Sequence, residues 1–144
     1  MAAIAPNYCS EIEYPAAGRN FADEDPNFGD NTEEPAIDLV HLARQTMSDE
    51  ALEVELLELF ERQSARIISQ LTEAGAGASR FRGDLAHTLR GSALAIGAGR
   101  VARSAQAFET VCAAGAREGS ADAALAALVE AVAEARAAIA RLLA

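Results

Sequence analysis

Lysine is absent from these 144 residues: all twelve basic side chains are arginine, set against 22 acids, for a formal net charge of −10. Tryptophan is also missing, aromatics make up 5%, and there are only two cysteines and four prolines. Each shortage excludes something. The acidic balance, with no basic patch, argues against a nucleic-acid binder or an anionic-membrane binder, because both draw affinity from clustered cations. Cys9 and Cys112 stand in unrelated surroundings without paired spacing, so neither a disulfide framework nor a zinc site is expected, and a reduced, cytoplasmic setting is the default. No run approaches the roughly 18 apolar residues of a membrane span, and the N-terminus lacks the positive and apolar regions of a signal peptide.

What is present favours helices. Alanine makes up about a quarter of the chain and has the best helix propensity. At 51% hydrophobic, a chain of this length can bury one core without metal or disulfide staples. The charge divides the sequence in two. Residues 1–35 hold all four prolines and eight acids against the single Arg19, with no sustained 3.6-residue period. They read as an extended or flexible acidic leader. Residues 36–144 are close to charge-balanced, with fourteen acids and eleven arginines.

From Pro35 onward the periodicity predicts a short helix at Ala36 to Met47, with Ile37, Val40 and Leu39 as anchors. A long helix follows, capped at Ser48 and running to Ala74 with Leu52, Leu56, Leu59, Phe60, Gln63, Ile67 and Leu71 in its stripe. A Gly75–Ser79 turn leads to a third helix from Arg80 to Ile96. A fourth runs from Arg100 to Arg117, with Val101, Ala105, Phe108 and Cys112 on one face. Ser120 is the expected cap of a fifth, whose Leu125, Leu128, Val132, Ala135, Ile139 and Leu142 repeat at bundle spacing. Short loops imply antiparallel neighbours. The expected fold is all-α: an antiparallel up-down four-helix bundle over residues 36–144, preceded by one short extra helix.

On the third helix, a step of ~100° per residue gathers Phe81, Leu85, Thr88, Leu89, Ser92 and Ile96 into the expected buried face. His87 then falls opposite, in solvent. Gly83 lies one turn before it and Gly91 one turn after. Interior glycine costs about 1 kcal/mol against alanine, so the pair reads as clearing space above the imidazole for a partner. Leu94 and Ala98 are expected to offer that partner an apolar footing, and Arg90 to supply positive charge for a phosphate.

The stretch AHTLRGSALAIGAGRVARSAQAFE, Ala86 to Glu109, resembles the signature of histidine phosphotransfer (HPt) domains. His87, Leu89, Gly91, Ser92, Ala93, Gly97, Ala98, Val101, Phe108 and Glu109 fall on that pattern. Arg90 departs from it, standing where the family most often has lysine; it keeps the charge with a bulkier, forked head. The resemblance implies a non-enzymatic phosphocarrier in a two-component phosphorelay, with His87 phosphorylated and Arg90 and Gly91 supporting the phosphoryl site. It implies response-regulator receiver domains and a hybrid histidine kinase as partners. No cofactor is bound on this reading, and the receiver supplies Mg²⁺. An unperturbed imidazole, pKa about 6.5, is mostly neutral and nucleophilic at pH 7, and no phosphate-binding loop motif is present.

The remaining candidates have plainer readings. His41 is expected to pack or sit at the surface, Cys112 to be a small buried hydrophobe, and Cys9 an exposed thiol. Glu109 is taken as structural, and Arg100 and Arg103 as surface charges or a docking rim. The chain is expected to be monomeric, and the acidic leader is a candidate autoinhibitor of the Arg90 surface. The alternative function is a non-phosphorylated helical module that regulates a kinase or receiver by binding.

Overall fold

The first helix is set by an aspartate rather than by its apolar anchors. In the computed structural model, which describes residues 34–115 and 117–144, helix α1 spans Leu39–Thr46, and Asp38 caps it by accepting from the Val40 and His41 amides, both at 3.1 Å. Residues 1–33 lie outside the described residues, and with them nearly all of the predicted leader. The helical region, Pro35–Ala144, is one unit.

Helix α2 covers Glu50–Glu73, α3 Ser79–Ile96, α4 Gly99–Ala113 and α5 Glu118–Leu143, with a short 3₁₀ turn at Ala76–Ala78. No strand occurs among the described residues. Asp49, not Ser48, caps α2, its carboxylate accepting from the Leu52 amide at 3.2 Å. Ser48 instead makes the turn, with φ of 63° beside Met47 at 54°. Helix α4 stops at Ala113, earlier than expected, ahead of Gly115 with φ of 64°. Ser120 lies inside α5, whose first turn is preceded by Arg117 without a side-chain cap.

Helix α3 packs on α2 and α4, while α5 packs on α4 and α2. Between them lie Phe60, Leu71, Leu89, Phe108, Leu128 and Ile139, all essentially without solvent exposure. The most extensive contact is α3 against α4, and its composition explains why. Ala86 and Ala93 on α3 and Ala102 and Ala105 on α4 are all buried, and small side chains let two helix backbones approach closely. Polar ties fix the other seams: Ser92 donates to Gln63 between α3 and α2 at 2.6 Å, and Arg136 donates to Glu61 between α5 and α2 at 2.5 and 2.9 Å. Arg100 pairs with Glu134 across α4 and α5.

The buried face of α3 is displaced one residue along the chain from the expected one. Arg82, Ala86, Leu89, Ala93 and Ile96 are buried, whereas Phe81 is 49% exposed and Thr88 is exposed. Leu89 and Ile96 are buried on either reading, and the centre of the face is turned by about 70°. Arg82 takes the inward position because its guanidinium stacks on the Phe108 ring, 5.2 Å from the centroid; the ring quadrupole repays part of its desolvation, on the order of 2 kcal/mol. Similar slips occur elsewhere. Leu39 and Val40 are more than half exposed, with Leu42 and Thr46 buried in their place; Leu59 and Leu142 also face solvent.

The α3–α4 turn is where α1 is attached. Gly97 has φ of 82°, and a β-carbon there would lie 2.8 Å from the Asp38 carbonyl oxygen. Only glycine combines the left-handed backbone with that approach. The Asp38 amide donates to the Gly97 carbonyl at 2.9 Å, and Ile37 is buried beside it.

Candidate functional site

The rotation of α3 moves His87 from the far side of the helix to the edge of the α3–α4 seam. The side chain is 62% exposed, yet its Nδ1 lies 2.9 Å from Glu109 Oε2 on α4. Arg90, one turn along α3, brings a terminal guanidinium nitrogen to 3.4 Å from the same Nδ1 and its Nε to 3.7 Å from Glu109 Oε1. The three side chains form one cluster on two helices.

These distances decide the tautomer. A carboxylate oxygen only accepts, so at 2.9 Å Nδ1 must carry the proton and donate it to Glu109. The opposite tautomer would set a lone pair against the carboxylate. The Arg90 contact at 3.4 Å then joins two donors and is no hydrogen bond; Arg90 contributes positive charge beside the ring. With Nδ1 protonated, the ring's far nitrogen, Nε2, holds the lone pair, and among the described residues it has no hydrogen-bond partner. The cluster thus presents an oriented nucleophile next to a cation.

An open groove of about 560 Å³ runs beside the ring between α3 and α4, lined by Arg80, Gly83, Asp84, His87, Glu109 and Cys112 among others. Gly83 forms part of its floor, since a β-carbon there would touch the Cys112 β-carbon at 3.5 Å. Burial pushes the Cys112 thiol above its ordinary pKa, opposed by Arg82 and reinforced by Glu109; the thiol is therefore neutral at pH 7. Cys112 is partly exposed and packs against the core edge. Glu109 Oε1 is buried and accepts no hydrogen bond.

The expected site residues divide accordingly. His87 and Arg90 meet, Gly83 opens the groove, and Gly91 leaves open surface one turn beyond the ring, where an added β-carbon would touch nothing within 4 Å. Leu94 is 56% exposed two turns along. Ala98 is fully buried at the start of α4 and offers no footing to a partner; its small side chain lets the turn close. Arg100 is engaged with Glu134, which gives it a structural task. His41 is half-buried and donates from Nε2 to the Leu94 carbonyl at 2.8 Å, satisfying one of the open carbonyls at the end of α3. No group of residues able to hold a metal ion occurs among the described residues, and none of the described helices is long and apolar enough to cross a membrane.

Glu109 is the residue whose part in the site the sequence reading missed. A positional signal for it exists: His87 and Glu109 each lie eleven residues from Ala98, so an α3–α4 hairpin folded at that turn sets them face to face.

The chain is similar to known proteins in its sequence pattern and in its fold. Residues 55–142 match the family model of the Hpt domain. Among solved structures, the X-ray structure of a rice protein assigned as a histidine-containing phosphotransfer protein matches with a TM-score of 0.67 at 20% identity, over 81% of this chain and 85% of that one. At that identity the likeness is one of fold. No curated protein matches the sequence.

Proposed function

The chain belongs to the Hpt domain family, and on that premise we propose that His87 is the phosphoacceptor of a phosphorelay, taking a phosphoryl group from a receiver-domain aspartate and passing it to another response regulator. The observation that carries this reading is the 2.9 Å contact between His87 Nδ1 and Glu109, which leaves Nε2 with its lone pair on an exposed helix face. The ring of helices α2–α5 reads as the antiparallel four-helix bundle on which that face is built.

In the proposed step the Nε2 lone pair attacks the phosphorus of the receiver's aspartyl phosphate. The N–P bond forms as the acyl P–O bond breaks, and the aspartate leaves as a carboxylate. The imidazole gains positive charge while Nδ1 keeps its proton on Glu109, whose negative charge offsets it. Arg90 is close enough to meet an oxygen of the transferring group. Mg²⁺ carried by the receiver would supply charge neutralisation at the phosphoryl group. Transfer onward reverses the same bonds. The protein acts as a monomeric cytoplasmic carrier between a hybrid histidine kinase and its regulators, with no nucleotide site of its own.

The test is to incubate the protein with radiolabelled phospho-receiver and Mg²⁺. Wild type is expected to acquire acid-labile, alkali-stable label, and His87→Gln none while keeping its helical circular dichroism. Unchanged labelling of His87→Gln would sink the assignment.

A further inference from the structure

We propose that the groove beside His87 receives a basic side chain, lysine or arginine, from the docked receiver, and that Asp84 and the open oxygen of Glu109 hold its charged head. The inference rests on the phosphocarrier reading and adds the chemistry of the partner's surface.

Geometry requires the groove to be covered. For transfer, the phosphorus must come within about 3–3.5 Å of Nε2. Even a small protein contact buries about 600 Å² per partner, a patch roughly 14 Å in radius. Gly83 and Asp84 lie about one helical turn, ~5.4 Å, from His87. Glu109 and Cys112 stand on the adjoining helix, lining the same groove. A receiver aligned on the histidine cannot avoid them.

The lining selects the occupant. Glu109 Oε1 is buried without a hydrogen bond, and its nearest cation, Arg90 Nε, is 3.7 Å away. A buried acceptor left open is unusual in a native structure; the Glu109 side chain is 30% exposed, and a turn of its carboxylate toward the groove would bring that oxygen to an arriving donor. Asp84, exposed on the groove wall, adds a second carboxylate. The floor at Gly83, Cys112 and Ala113 is small and apolar, suited to the methylene stem of a long basic residue. An acidic or purely apolar side chain would leave Asp84 and Glu109 Oε1 without a donor. Arg80 lines the groove as well, so the incoming head is directed to Glu109 and away from that cation.

Two measurements on the full chain test this, using receiver domains charged with acetyl phosphate and any one of them that loads the wild type. In a Cys9→Ser background, that receiver is expected to slow iodoacetamide alkylation of Cys112 at least fivefold. Asp84→Lys is expected to raise KM for the phospho-receiver tenfold or more with kcat within twofold, Asp84→Asn to fall between, and added salt to narrow the gap. Reversing the charge of the matching basic residue on the receiver should restore KM. An unprotected Cys112, or Asp84→Lys within twofold of wild type, overturns the inference while leaving the phosphocarrier reading intact. A wild type loaded by no receiver defeats that reading, and this inference with it.

Discussion

His41 and His87 are the two histidines of the chain, each at the edge of a helix with one ring nitrogen engaged, and they differ in which nitrogen that is. His41 turns Nε2 onto the Leu94 carbonyl, and because a carbonyl only accepts, Nε2 carries the proton. Its remaining lone pair is on Nδ1, close to its own backbone. His87 turns Nδ1 onto Glu109, so the lone pair stands on the distal nitrogen. One ring completes a helix end, and the other presents its lone pair to solvent. His87 is also the more exposed of the two, but it is the engaged nitrogen that decides which lone pair faces solvent.

The comparison can be broken at several points. The largest effect is expected from exchanging the mutation between the two rings: His41→Gln should take phosphoryl label like wild type, while His87→Gln takes none. Equal labelling of the two variants would erase the distinction. Next is Glu109→Ala, which frees the ring to rotate and lose its tautomer. Loss of an orienting partner costs a metal-bound histidine about 10–100-fold, and a slowing of that order is expected in single-turnover loading. Glu109→Gln should lie closer to wild type, since its amide oxygen still accepts from Nδ1.

A third prediction concerns what holds His41 in place. Gly97→Ala forces a β-carbon into a left-handed backbone and to within 2.8 Å of the Asp38 carbonyl oxygen. The left-handed conformation alone costs roughly 1–2 kcal/mol, and the clash adds to it. Thermal unfolding followed by circular dichroism should show a Tm lowered by about 8 °C or more. The smallest effect is His41→Ala, which loses one hydrogen bond, about 0.5–1.5 kcal/mol, and should leave loading unchanged.

The signature around His87 was legible because it is carried by residue types: a histidine, two flanking glycines, a cation and the Gly97 turn. The orientation of α3 was not. Hydrophobicity placed Phe81 inside and Arg82 outside, whereas the Phe108 ring takes the Arg82 guanidinium and the seam is built from alanines. Alanine tolerates either environment, so in an alanine-rich helix the period marks the stripe weakly and a one-residue slip goes unnoticed. That slip hid Glu109. With α3 turned about 70° the wrong way, His87 has no neighbour on α4, and the glutamate looks like ordinary surface charge. The α1 cap was missed for a related reason: Asp38 reads as one more acid until the Gly97 turn is seen to press against it.

The most direct test of the account is which nitrogen carries phosphorus and which the proton. Long-range ¹H–¹⁵N NMR on ¹⁵N-histidine-labelled protein, before and after loading from a phospho-receiver, resolves both. The expected result is His87 with Nδ1 protonated in the free protein and phosphorus on Nε2 after transfer, with the His41 resonances unmoved. Phosphorus on His87 Nδ1, or on His41, would contradict it.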